Sequence, residues 1–460
     1  MNLSVSLSRL FRYRTSLIGS LTSMLLLSFL ANPISAQQVD VWIGTSGTEG
    51  IFHLKLNTEN GKLTQPRNVS KIGNAGFLAL HPEKSVLYST ARQGSKNGVA
   101  AFAIGKSSAT PKSKPAASSS TASPEIKAAQ MRLADLASSF GPDHPAIIDV
   151  KQKLTMLKKQ VATKPKKTPA QKKTPTQKVA KNSLGLTQLS FVESGDGGAA
   201  HVAVDKSGKV VMSAQYGGGS VSTYTLNPNG SIKQLVAAVE HGAGSGVKEK
   251  RQAQSHPHWV GTSPDNKFLM VPDLGKDAVV VYKLDSETGK IQKHDEIPSP
   301  PGAGPRHMKF HGSGKYAYVL NELTLSVSVF EYDPADAKFK KLQEIEALPD
   351  ELKDEQLQSA AEIRIHPSGK FVYTSNRGHD SITVFAVDQE SGKLEFVQRE
   401  SIRGAWPRNF NIDPSGKWLL AAGRHTNTLT LFSIDEETGK LAYARKSVNV
   451  PAPICVVFAK

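Results

Sequence analysis

Cysteine is nearly absent: Cys455 is the one example in 460 residues. No intrachain disulfide can form, and no cysteine-based metal cluster can be assembled. Its apolar flanks in "PICVVF" place it in a buried strand rather than in nucleophilic chemistry. Long apolar runs are missing after residue 36, so no later segment is suited to cross a bilayer as a helix. No G-x-S-x-G elbow stands out. The glycines of "YGGGS" open no helix, so they read as a tight turn and not a phosphate loop. His256 and His258 flank Pro257 with no third ligand nearby, which argues against a metal site. The expectation is a protein without metal or cofactor.

Acidic residues are the scarcer charge, with 40 Asp/Glu against 57 Lys/Arg and a net +17. That excess is local. Residues 105–183 hold 16 Lys/Arg and 4 Asp/Glu, the first 36 residues add three arginines, and only +2 is left for the rest. A basic patch for nucleic acid is therefore not indicated. Arg9, Arg12 and Arg14 precede an apolar run from Leu17 to Leu30 and then "NPISAQQ". This is the pattern of a secretory signal peptide (1–36) cut after Ala36, with an uncleaved anchor as the alternative. The mature protein is expected to be exported, periplasmic or secreted, without an integral membrane span.

A phrase of about 40 residues recurs along the remainder, the period of a four-stranded repeat. Copies include "GPRHMKFHGSGKYAYVLNELTLSVSVFEYD", "SAAEIRIHPSGKFVYTSNRGHDSITVFAVD" and "WPRNFNIDPSGKWLLAAGRHTNTLTLFSID". Alternation within "KYAYVL" and "SITVFAV" is the strand period, and "PSGK" and "DEETGK" are turns. Such a unit is a propeller blade. Six units lie within the chain. A seventh is split between "VDVWIGT", "GIFHLKL" and "KLTQPRNV" near the start and "APICVVFAK" at the end. The prediction is an all-β, seven-bladed propeller closed by pairing of its terminal strands, spanning 37–104 and 184–460. The Lys/Pro-rich insertion at 105–183 replaces the hairpin between the third and fourth strands of one blade. Linkers there flank two stretches with 3–4 apolar spacing, read as an αα-hairpin. Its expected partner is a cell-envelope polyanion or another coiled coil, the plain alternative being a solvated tether.

In a blade, entry to the first strand and the turn after the second share one face. Arg306, His258, Arg408 and His201 fall at entries; Glu322, Arg377 and Arg424 fall at exits of second strands. One carboxylate among several cations at the channel mouth suits a small anion. The insertion leaves from the opposite face.

At these residues the chain resembles the seven-bladed β-propeller lactonases, a family that includes propeller-type 6-phosphogluconolactonases and 3-carboxy-cis,cis-muconate lactonising enzyme. The phrases that carry the likeness are "HPHWV", "GPRHMKFH", "YVLNEL", "TSNRGHDSITVF" and "WPRNF". The resemblance implies a metal-free site of His258, Arg306, Glu322 and Arg377. His256, His307, Arg408, Arg424 and Gln215 are candidate substrate-binding neighbours. Gln215 stands where the family usually has Asn, and Arg424 where a neutral polar residue is expected.

Hydrolysis of an anionic sugar-type lactone is the leading expectation, with Glu322 or His258 taking a proton from water and Arg306 and Arg377 holding the oxyanion. The same residues run in reverse would make a lactonising cycloisomerase. A noncatalytic binding scaffold in the cell envelope is the reading from another class.

Overall fold

The computed structural model describes residues 38–106, 184–353 and 358–459, together with Leu133, Lys151, Leu154 and Thr155. Seven four-stranded antiparallel sheets follow one another around a channel. Blades 1 to 6 occupy 78–193, 199–240, 261–298, 305–346, 359–401 and 407–449. Within each, strands A to D run outward in chain order. Consecutive A strands touch, for example Pro305–Phe310, Ser359–Ile365 and Pro407–Ile412. Blade 7 closes the ring as predicted: Pro453–Phe458 pairs with Gln38–Thr45, followed outward by Ile51–Asn57 and Arg67–Ser70. With no exposed edge between first and last blades, closure substitutes for disulfides in holding the ring.

The core lies between blades. Tyr318, Leu320, Val327 and Val329 of blade 4 pack on Ile363, Val372 and Phe385 of blade 5, all buried. Polar ties repeat the same step. The Tyr88, Tyr318 and Tyr373 hydroxyls donate to the carbonyls of Gly230, Gly392 and Gly439 in the following blade, at 2.7, 3.0 and 2.8 Å. His81, His311 and His366 reach the Gly208, Gly369 and Gly416 carbonyls of the next A–B turn at 3.0, 3.0 and 2.9 Å. Gly369 is at φ +75°, and a Cβ there would sit 2.7 Å from the His311 ring. Turn geometry and interblade contact both demand glycine there. These three histidines are thereby accounted for as structure.

Cys455 is buried on strand A of blade 7, and burial pushes its thiol up to about 12. In blade 1, strand C ends at Lys106 and strand D begins at Leu184, paired to each other. The insertion therefore replaces the C–D hairpin and leaves from the face opposite the A-strand entries. The expected αα-hairpin lies outside the described residues, apart from four helical positions (Leu133, Lys151, Leu154 and Thr155). The signal segment also lies outside them. Among the described residues, no helix is long and apolar enough to cross a membrane.

Candidate active site

Repeat geometry sets two tiers at one mouth of the channel. The first position entering the A strands carries Gly76, Ala200, His258, Arg306, Ala361 and Arg408 in blades 1 to 6. The next position carries Phe77, His201, Trp259, His307, Glu362 and Asn409. The second tier touches side to side and floors the mouth. The rings of Phe77 and His201 are 4.6 Å apart, those of His201 and Trp259 5.5 Å, and those of His201 and His307 5.6 Å.

Glu322 follows strand B of blade 4 and is the centre of the first tier. One oxygen, Oε2, accepts from Arg306 Nε at 2.8 Å and is ion-paired with Arg377 Nη2 at 3.1 Å. The other, Oε1, accepts from Arg251 Nη2 at 2.7 Å. Burial would raise the proton affinity of Glu322, but Arg377, Arg251 and Arg306 outweigh it and hold the carboxyl well below its usual range. It is therefore an ionised anchor with little basicity.

Arg306 is fully buried. Besides Glu322, its Nη1 donates to the Ala361 carbonyl and to His307 Nε2, the latter at 3.0 Å. Nη2 alone has no partner. Burial, and after it the Arg377 charge, weaken its hold on the proton while Glu322 strengthens it. A guanidinium carries only donors and here faces acceptors, so it remains the cation. Arg377 donates to the Ala360 carbonyl at 2.9 Å and lies 5.5 Å from the Trp406 ring centre.

His258 is buried with Nδ1 unpartnered, its ring 5.3 Å from Tyr216 and 5.4 Å from His307. Burial first, then the Arg306 charge, hold it well below the usual imidazole value, so the ring is neutral at pH 7. Its segment is pinned by Asp273, which accepts from the His256, Gly275 and Lys276 amides at 2.6, 3.0 and 3.1 Å. His256 stacks on Tyr216 at 4.4 Å, with Nδ1 on the Tyr216 carbonyl at 2.7 Å.

Two of the three small first-tier residues leave room together. A cavity of about 160 Å³ opens over Gly76 and Ala200, with Phe77 at its floor and Arg408, Thr45 and Asn97 on its walls. Arg408 also acts electrostatically on Arg306, His258 and His307. Arg424 follows strand B of blade 6, half-buried, its amide on the Trp406 carbonyl at 3.2 Å.

Two expectations change. Gln215 does not face the mouth: it is fully buried inside blade 2. With its amide oriented to suit its neighbours, it donates to the Ser220 and Ser213 carbonyls at 2.9 and 3.1 Å and accepts from Ser213 Oγ at 2.6 Å. Asn321 and Asn376 fill the same bracing slot, the former donating to Ser326 and Ser328 and the latter to Ser381 and Thr383. The residue after the brace reaches the site, hence Tyr216, Glu322 and Arg377. His307 lies in the second tier, with both nitrogens engaged, by Arg306 and by Glu362 at 3.0 Å.

Arg251 and Glu362 were not singled out from sequence. Arg251 rides on a short turn of helix (Glu249–Gln252) in the long link between blades 2 and 3, where no strand period marks it. It also donates to the Tyr216 hydroxyl at 3.2 Å. Its loop is held by Gln252, whose Nε2 donates to Asp277 Oδ1 at 2.6 Å. Asp277 in turn accepts from the amides of Gly302 and Gly304, at 2.7 and 2.8 Å, just before Arg306. One carboxylate thus aligns the loops of two of Glu322's arginines.

The family model described as "Lactonase, 7-bladed beta-propeller" matches residues 40–132 and 126–458. The chain is 32% identical over 420 residues to the 6-phosphogluconolactonase of Bacillus subtilis, covering 91% of this chain and 97% of that one. A crystal structure of a Lactobacillus plantarum protein superposes with a TM-score of 0.70 at 26% identity, over 92% of this chain and all of that one. The Pseudomonas aeruginosa periplasmic gluconolactonase shares the fold at 24% identity, with a TM-score of 0.70 over 92% of this chain and 99% of its own. The chain belongs to the seven-bladed β-propeller lactonase family.

Proposed function

We propose that the protein hydrolyses a sugar lactone bearing an anionic group, at the channel mouth where His258, Arg306 and Arg408 enter their strands. The observation that carries this is Arg306 Nη2, a buried donor without a partner in a guanidinium otherwise fully engaged. Such a donor suits the oxyanion that develops when water attacks a ring ester. His258 is the base rather than Glu322, since the carboxylate is neutralised by three arginines while the imidazole is uncharged. In the forward step His258 takes a proton from water as the hydroxide adds to the lactone carbonyl. The ring C–O bond then breaks, and the imidazolium returns the proton to the leaving alkoxide, giving the open hydroxy acid. Arg306 and Arg377 hold the negative charge between these steps. Arg408 would take the anionic group.

The N-terminal signal pattern supports a reaction outside the cytoplasm, with the periplasmic gluconolactonase of the same fold as a parallel. A pH-stat panel of phosphorylated and unphosphorylated sugar lactones, with Arg306→Ala and Arg408→Ala beside wild type, tests the reading. Turnover lost in Arg306→Ala, and a raised KM for the anionic lactones alone in Arg408→Ala, is the expected result. No turnover of any lactone by wild type would overturn it and favour a binding scaffold.

A further inference from the structure

Glu362 makes a connection that hydrolysis itself does not require. It is fully buried on strand A of blade 5, in the slot that His307 fills on blade 4. Donors surround it: Arg364 Nη2 at 3.3 Å, the Ile363 amide at 3.0 Å, and the Asn409 amide. The remaining neighbour is His307 Nδ1, 3.0 Å from Oε1. On the far side of the same ring, His307 Nε2 is 3.0 Å from Arg306 Nη1. A guanidinium has no acceptor to offer, so Nε2 must carry a lone pair and Nδ1 the hydrogen. Arg306 thus donates both to Glu322 and to His307, and His307 donates onward to Glu362.

We infer that Glu362 and His307 form a positioning pair for the lactone site: Glu362 fixes His307 as the Nδ1–H tautomer, and the His307 lone pair at Nε2 rotates Arg306 so that Nη2 alone points at the substrate. The inference rests on the lactonase reading for what Arg306 does, but not for the state of His307. Arginine geometry explains why a histidine is used. Nε is taken by Glu322 and Nη1 by the Ala361 carbonyl. A second acceptor on Nη1 removes the freedom of the fork to pivot about its Nε bond. A phenylalanine in this slot, as at Phe77 on blade 1, would leave that freedom. Burial first, and then the charges of Arg306 and Lys309 on its own strand and of Arg364 and Arg408 on the next two blades, disfavour an imidazolium at His307. Glu362 is the counter-charge, and His201 and His258 are uncharged rings lowered in the same way.

Two readouts test the inference. Nitrogen-15 NMR of histidine-labelled wild-type protein, with the His307 signals assigned by their loss in His307→Gln, needs no substrate. The expected spectrum has a protonated Nδ1 and a bare Nε2 on His307, unchanged from pH 5.5 to 8. An Nε2–H tautomer, or titration of His307 within that range, overturns the proposal. In Glu362→Gln the Gln amide faces donors, and the His307 tautomer should mix or invert. With a lactone substrate, kcat of that variant should fall about 10²-fold, the scale of a misplaced reacting group, while KM moves less than threefold. A folded Glu362→Gln with unaltered kcat, or with only KM changed, also overturns it. If that variant does not fold, the wild-type tautomer decides. If wild type turns over no lactone, the lactonase reading fails while the NMR result still judges the pair.

Discussion

Replacing Glu322 by Gln keeps the shape of the side chain and removes its charge, so the loss that follows is electrostatic. Three guanidiniums, 2.7, 2.8 and 3.1 Å from its oxygens, are then left facing one another in a site where Glu322 is 3% exposed. Stripping one partner from a buried ion pair costs about 3–5 kcal/mol, and that is the expected loss at pH 7. The pH dependence gives the sharper signature. Burial alone would raise the Glu322 carboxyl, and the arginines nonetheless bring it below its ordinary 4.5 in the folded protein. Its stabilisation is complete above that ordinary value, where both states are ionised. It declines as pH falls, because the unfolded chain takes up a proton that the folded one refuses. The gap between wild type and Glu322→Gln should therefore narrow by about 1.4 kcal/mol per pH unit below 4.5, down to the folded value. Urea unfolding followed by tryptophan fluorescence at pH 7 and pH 3 measures it. A gap under about 1 kcal/mol at pH 7, or one that does not narrow at pH 3, would refute the reasoning.

Other consequences are smaller and separate fold from site. Tyr318→Phe deletes the interblade bond to the Gly392 carbonyl and should cost about 1 kcal/mol in stability with kcat unchanged, read by urea midpoint and lactone assay. Cys455, with its thiol pushed up to about 12, should not react with a disulfide reagent at pH 8 until the protein is unfolded in guanidinium. Replacing residues 107–183 by a short glycine-containing turn should leave both melting temperature and turnover unaltered, since the strands it joins end at Lys106 and Leu184, on the face opposite Glu322.

The fold was legible because the blade repeats its polar grammar as well as its hydrophobic one. "PSGK" and "DEETGK" mark A–B and C–D turns, so strand order and face follow from counting. The same counting brought Arg306, Glu322 and Arg377 to one mouth. It failed by one residue at "SAQYGGGS": aligned on Asn321 and Asn376, Gln215 is the internal brace and Tyr216 the residue at the mouth. Arg251 was not legible because its position depends on the path of a non-repetitive link, fixed by Gln252 and Asp277 through tertiary hydrogen bonds. Glu362 sat in plain view in "SAAEIRI". Its importance lies in a neighbour on the preceding blade, which a repeat read in one dimension does not show.

The central claim is that a neutral His258 beside an arginine-locked Glu322 opens a lactone ring. Acid release from a sugar δ-lactone in a pH-stat, with wild type and His258→Asn side by side, tests it most directly. The account predicts turnover well above spontaneous hydrolysis in wild type and a fall of about 10²–10⁴ in kcat for the variant, the range of a lost general base. Equal rates for the two proteins, or a wild type no faster than buffer, would contradict it.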